Sequence, residues 1–371
     1  MRTLVISDLH LGVRTGVDVL ARPAALEILC SRLDGVDRLV LLGDTLELRH
    51  GPARDALARA EPVMRALGDA LGPDGHVVIL GGNHDHALVA GWLDWRGRRE
   101  VPEPLALDER VAPQYASWIV KRLAGWLAPA SVEVAYPGIW LRDDVYATHG
   151  HYLDVHSMTP TLEVLAGRGM ARMVGTVPRQ ASPDDYEAVL APMYAWIQAS
   201  AQRAATTRRS AGGGSAIGVW NVLEGSDGKR TPSRAALRAG FRASVAVANR
   251  AGFGPLRPQL SGPAMRRAAL AGLAEVARRL ALKPPHLLFG HTHRTGMLER
   301  DNPGEWRTPA GTHLHNTGCW VFETHFMGRL PRGESPYWPG GAIVVDDDGP
   351  PRLERLLGDL PAEVLSSPGP A

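Results

Sequence analysis

The residues able to do chemistry stand in short polar clusters, each directly after an apolar run. His76-Val77-Val78-Ile79-Leu80 runs into Gly81-Gly82-Asn83-His84-Asp85-His86. There Asn83 offers a neutral oxygen to a hard metal ion, and His84 can pass a proton to a leaving oxygen. Asp85, next in the chain, is the expected partner that orients His84 and raises its basicity. Thr3-Leu4-Val5-Ile6 runs into Ser7-Asp8-Leu9-His10, where a spacing of two puts Asp8 and His10 on one side of an extended chain. Arg38 to Leu42 leads to Gly43-Asp44, with Glu47 nearby. Asp144 to Ala147 leads to Thr148-His149-Gly150-His151, and His286 to Phe289 leads to Gly290-His291-Thr292-His293. Singly, a His or Asp at a strand end is ordinarily a hydrogen-bonded turn residue. Five such clusters with oxygen and imidazole donors, and no thiolate, point to a metal centre suited to Mn²⁺, Fe or Zn²⁺. Seven candidate ligands are too many for one ion but fit two ions sharing a carboxylate.

The elements that must position these groups follow from apolar spacing. Buried strands are expected at Thr3–Ile6, Arg38–Leu42 and His76–Leu80, with helices at Ala24–Leu33 and Asp55–Leu71 between them. A helix is expected over Pro113–Leu127, then strands at Val132–Ala135, Asp144–Ala147, His286–Phe289, Leu314–Val321 and Ala342–Val345. The order strand, helix, strand, helix, strand, with a polar group at each carboxyl end, is that of an α/β sheet whose ligands gather at that edge. Composition shifts near residue 157 to Ala- and Arg-rich helical spacing, with helices expected at Thr161–Met173, Asp184–Arg203, Arg234–Arg250 and Ala264–Leu282. Ala211-Gly212-Gly213-Gly214-Ser215 reads as a flexible loop. The organisation expected is a core in two parts, 1–156 and 285–360, a helical insertion over 157–284, and a frayed tail over 361–371.

Bulk properties narrow the function. With 44% hydrophobic and 22% charged residues, the 371-residue chain is an ordinary globular one. A formal charge of +2 is too mild for a nucleic-acid or anionic-membrane surface, so no nucleic-acid partner is expected. Cys30 and Cys319 have neither zinc-type spacing nor the number for a disulfide framework. No leader-like or membrane-spanning run is apparent, so a soluble cytoplasmic protein is expected.

The ordered motifs Asp-x-His, Gly-Asp, Gly-Asn-His-Asp, His-Gly and Gly-His-Thr-His resemble those of the calcineurin-like metallophosphoesterase superfamily. They span residues 3 to 151 and 286 to about 320. The resemblance implies two packed mixed β-sheets flanked by helices, here with the helical insertion. It also implies that Asp8, His10 and His293 hold one ion, that Asn83, His149 and His291 hold the other, and that Asp44 bridges them. Two such cations would clamp a phosphoryl group while a bridging water or hydroxide attacks phosphorus. His84 would then protonate the leaving oxygen. His151 maps onto no ligand and is a candidate for contact with substrate. His86, Asp154 and His156 read as local hydrogen-bonding residues, and Trp320 as core.

The expected activity is a metal-dependent phosphoesterase acting on a phosphorylated small molecule, nucleotide or lipid-linked substrate, with Mn²⁺ as the leading metal. A nuclease of the DNA-repair branch and a non-catalytic scaffold are the alternatives. Asp-Leu-His-Leu-Gly and His-Gly-x-x-x-Asp resemble the branch containing UDP-2,3-diacylglucosamine pyrophosphohydrolases. That branch commonly has Arg at the position of His84, and a shorter cap. Arg168, Arg172, Arg203, Arg208 and Arg209 of the insertion are candidates to read phosphates, and Met170, Met173 and Trp196 to contact apolar substrate. The other reading of these residues is a solvated face and the insertion's own core.

Overall fold

Residues 1–101, 103–158, 162–204, 232–258, 261–327 and 333–367 are described by a computed structural model. The apolar runs form strands: β1 Thr3–Ile6, β2 Arg38–Leu42 and β3 His76–Leu80 are parallel neighbours in sequence order. β4 Asp108–Val111 and β5 Ser131–Arg142 follow, then β6 Val145–Thr148, β7 His286–Phe289, β8 His313–Asn316, β9 Gly341–Val345 and β10 Arg352–Arg355. Among the described residues the strand order is β10-β9-β1-β2-β3-β5-β6-β7-β8, with β4 paired to β5.

β5 makes this mixed sheet into two layers. Its first half pairs with β3 and β4, and its second half, from Gly138, pairs with β6. Alternation along the strands shows the layering. Val5, Val40, Leu42, Val78 and Leu80 of the first layer share one core with Ile139, Leu141, Val145, Ala147 and Leu288 of the second. The intervening Leu4, Ile6, Leu39, Leu41, Val77 and Ile79 turn to the opposite face. They join a core with helices α1 Pro23–Arg32 and α2 Ala53–Leu71. Strands buried on both faces read as continuous apolar runs, which is why they were visible in the sequence. The α/β arrangement of packed mixed layers flanked by helices is the expected fold.

Several elements depart from expectation. The Pro113–Leu127 helix is two, α4 Pro113–Ala116 and α5 Trp118–Trp126, because Ser117 is fully extended and its hydroxyl accepts from Val120 N–H as a helix cap. β8 stops at Asn316, short of Val321. The tail expected to fray after Leu360 forms a short helix, Ala362–Ser366, because Leu365 is fully buried in the helix-side core.

The chain divides into two compact units, Met1–His151 with Tyr194–Arg209 and Lys283–Ala371, and Tyr152–Met193 with Ser210–Leu282. The stretch from Tyr194, expected inside the insertion, thus groups with the strands. There the Gln202 side chain donates to Gly51 O at 3.1 Å and accepts from Ala53 N–H. The second unit contains helices at Leu162–Val174, Pro232–Ala248 and Gly262–Arg279. Two of its arginines are engaged internally: Arg168 donates to Ser157 O, Phe253 O and Pro255 O, and Arg172 donates to Ala251 O. For Arg168 and Arg172 these contacts favour the structural reading over phosphate recognition. Met173 and Trp196 are exposed. The glycine loop Ala211–Ser215, Arg208 and Arg209 lie outside the described residues, as does the Arg203 side chain. No helix among the described residues is long and apolar enough to cross a membrane.

Candidate metal centre

The carboxyl ends of β1, β2, β3, β6 and β7 bring the five clusters together. Asp8 N–H donates to Gly43 O and His10 N–H to Asp44 O, tying the loops after β1 and β2. His291 N–H donates to the Asp8 carboxylate at 2.9 Å, joining a residue of β7's loop to one 283 positions earlier. Asp8, His10, Asp44, His291 and His293 all have positive φ, between 45° and 65°. Such a backbone costs a non-glycine residue of order 1 kcal/mol or more and persists only where surroundings enforce it. Three glycines leave the necessary space. A Cβ at Gly43 would strike the His149 ring, one at Gly82 the Asp44 carboxylate, and one at Gly290 Ser7 and Asp8.

Within this cradle three sets of ligand atoms each lie within 4.8 Å of one another: Asp8, His10 and His293; His10, Asp44 and His84; Asp44, His149 and His291. The polar groups fit a cation. Asp8 Oδ1 is buried with no hydrogen-bond donor, while His293 Nε2 stands 3.4 Å away. The His149 Nδ1 side meets Leu42 O at 2.9 Å, so Nε2 faces Asp44 at 3.3 Å and Asn83 at 3.1 Å. The Asn83 amide also lies 3.0 Å from His291 Nδ1. With its nitrogen inward, that amide would donate to His291, Asp44 and His149. With its oxygen inward it meets acceptors, an arrangement that a shared cation satisfies. Carboxylate, amide and imidazole donors suit Mn²⁺, Fe²⁺ or Zn²⁺.

The buried carboxylates favour positive charge on His10 and His149. Burial opposes protonation of His10, but Glu47, Asp44 and Asp8 outweigh it and lift the pKa to about 9. His149 likewise overcomes burial through Asp44 and Asp8 and reaches about 9. For Asp8, burial is overcome by His293 and His149, and the pKa falls to about 2. Histidine ligands must be deprotonated to bind metal. Mn²⁺ binding near pH 7 is therefore expected to release protons. Affinity should rise with pH and level off above about 9, where these imidazoles are already neutral. Calorimetry in buffers of different ionisation heat reads the release; affinity unchanged from pH 6 to 9 would contradict it.

His84 sits at the rim, 23% exposed at its side chain, with its backbone N–H donating to Asp44 Oδ1 at 2.7 Å. Its Nδ1 is 2.8 Å from Glu47 Oε2, which leaves Nε2 turned away from that contact. Glu47 also lies 3.2 Å from His10 Nδ1. Glu47, not Asp85, is thus the carboxylate that orients His84. Asp85 is turned under the loops, accepting from the N–H groups of Gly82, Asp44, Thr45 and Leu46. Burial and the charge of Asp44 push its pKa up to about 6 despite these donors. Burial lowers the pKa of His84, with Glu47 opposing and Arg49 assisting that shift.

His151 also needs correction as a substrate contact. It is 1% exposed, with its ring 5.5 Å from His149, 6.4 Å from Tyr136 and 5.7 Å from Tyr194. It packs behind the candidate ligand His149. Tyr194 also carries the Arg49 guanidinium 5.4 Å above its ring and lies 5.2 Å from His86. His86 is therefore part of this aromatic support, while His156 meets Tyr186 at 2.8 Å in the second unit. Ser7, missed in the sequence, bonds Asp8 and stands 2.6 Å from Thr317 Oγ1. Trp320 is fully buried, and burial pushes the Cys319 thiol pKa up.

A family model described as calcineurin-like phosphoesterase matches residues 1–198, more than half of the 371. The match ends before His291 and His293, which the fold brings to the same centre. No curated protein matches the chain.

Proposed function

We infer the reaction from one premise: this chain belongs to the calcineurin-like phosphoesterase family. It is a metal-dependent hydrolase of phosphoester bonds with a binuclear centre. Asp8, His10 and His293 would hold one ion, and Asn83, His149 and His291 the other, with Asp44 between them. When bound, such ions neutralise charge developing on a phosphoryl group and acidify water for attack on phosphorus. The chain's own residues do the rest. Ser7 fixes Asp8, the Leu42 carbonyl fixes His149, and Asp85 anchors the two loops that present Asp44 and Asn83. His84 delivers a proton from Nε2 to the leaving oxygen while Glu47 holds its Nδ1. General acid help of this kind is typically worth about 10²–10⁴-fold. Arg49, close enough to depress the pKa of His84, adds positive charge for an anionic substrate.

The observation supporting this reading is that one oxygen of Asp44 lies 3.3 Å from His149 Nε2, of the group Asp44, His149 and His291, and 3.8 Å from His10 Nε2, of the group Asp8, His10 and His293. The substrate proposed is a phosphorylated small molecule, nucleotide or lipid-linked phosphate, since the balanced charge lacks the excess that a polyanion demands. The test is turnover of aryl phosphate monoester, aryl diester and a nucleotide pyrophosphate by metal-stripped protein before and after Mn²⁺ reloading. Hydrolysis restored by metal is expected. No turnover of all three with two ions bound per chain would reject the proposal.

A further inference from the structure

Asn316 closes β8, and the parallel register sets it beside Phe289, the last residue of β7. From this buried position it grips the loop 290–296, which carries His291 and His293, at three points. Its side-chain amide donates to Gly290 O at 3.1 Å and to Thr292 Oγ1 at 2.8 Å, one contact on each side of His291. Its backbone N–H donates to Gly296 O at 2.6 Å, and its carbonyl accepts from Gly296 N–H at 3.1 Å. The amide can face only one way, because its Oδ1 accepts from Gly318 N–H at 2.9 Å. Both amide protons and the amide oxygen are thus in use. The loop they hold needs holding: His291 and His293 have φ of 65° and 57°. A backbone of that kind persists at non-glycine residues only where surroundings enforce it.

We propose that Asn316 is a positioning residue for both ions at once. The inference rests on the binuclear reading, in which His291 serves one ion and His293 the other. Gly290 O and Thr292 Oγ1 flank His291, while Thr292 and Gly296 lie on either side of His293. One residue therefore sets the twist of the loop at both imidazoles. If the clamp is lost, the left-handed backbone relaxes and both rings move together. The clamp thus governs the affinity of each ion and also the distance between them. Asn316 itself offers no atom to a metal, since its whole amide is taken up by the loop and by Gly318.

The test is Mn²⁺ titration followed by electron paramagnetic resonance, on the unmodified chain, Asn316→Ser and Thr292→Val. Asn316→Ser withdraws the amide from the loop and keeps the backbone pair with Gly296. Thr292→Val keeps the side chain's shape and removes only the hydroxyl that accepts from Asn316, so it decides the matter if the first variant folds poorly. Loss of an outer-shell partner typically costs about 10–100-fold in metal affinity. Asn316→Ser should weaken both Mn²⁺ equivalents by that factor, Thr292→Val should weaken both by less, and Thr292→Ser should restore them. At saturating Mn²⁺ the unmodified chain should give the spectrum of an exchange-coupled ion pair, and Asn316→Ser a weaker coupling. A merely structural role would lower Tm and leave the spectrum of the folded protein unchanged. Unchanged affinity and coupling in both variants, or weakening of one equivalent alone, would overturn the proposal. Fewer than two ions in the unmodified chain would instead remove the binuclear reading, and this inference with it.

Discussion

An Asp44→Asn variant is expected to lose activity by about a thousandfold or more, beyond the roughly 10–100-fold usual for loss of an outer-shell partner. The asparagine can keep the fold, because an amide oxygen still accepts from His84 N–H as Asp44 Oδ1 does. What changes is the other oxygen, which lies 3.3 Å from His149 Nε2 and 3.8 Å from His10 Nε2. An NH₂ there carries no negative charge and directs protons at the position a cation must share. The carboxylate that raises the proton affinity of both histidines also disappears. Metal analysis should show less than two ions per chain, alongside unchanged circular dichroism. Full metal content with activity within tenfold of the parent would remove Asp44 from its bridging role.

Replacing Glu47 by Gln should cost about 10²-fold or more with an alkyl phosphate and far less with a nitrophenyl one. An alkoxide needs the proton that His84 supplies, whereas nitrophenolate leaves without it. The pH profile should shift as well. A general acid works protonated, so its contribution fades as pH rises through its pKa. Glu47 raises the pKa of His84 against burial and Arg49, so its loss moves that decline to lower pH. Asp85→Asn is the contrast: it loosens a loop anchor and should lower activity on both leaving groups alike. If Asp85→Asn, and not Glu47→Gln, shows the leaving-group dependence, the orienting role given to Glu47 is wrong.

The exchange of roles between these two acids illustrates what a sequence conceals. Asp85 is covalently next to His84, yet a tight turn sends adjacent side chains in different directions. The carboxylate that reaches the ring comes from 37 residues earlier. The candidate ligand positions were legible because aliphatic strands buried on both faces end abruptly in polar residues. Their left-handed backbones were not, since Asp and His do not announce positive φ as glycine does. β4 and β10 escaped for the opposite reason: Asp108-Glu109-Arg110-Val111 and Arg352-Leu353-Glu354-Arg355 are charged, as outer strands often are. Helix periodicity located α1 and α2 closely, but not the break at Ser117, which depends on a single hydroxyl.

The centre draws on both ends of the chain, and this has a consequence for synthesis. At roughly 5–20 residues per second, the ribosome takes about 7–30 s to pass from His149 to His293. Throughout that interval Asp8, His10, Asp44, Asn83 and His149 have been made, while His291 and His293 have not. β1 waits longer still. It is flanked by β2 and β9 in the finished sheet, and β9 begins at Gly341. The nascent protein thus holds half a chelate and an open strand edge together, so premature capture of a metal and premature pairing with another chain are hazards of the same period.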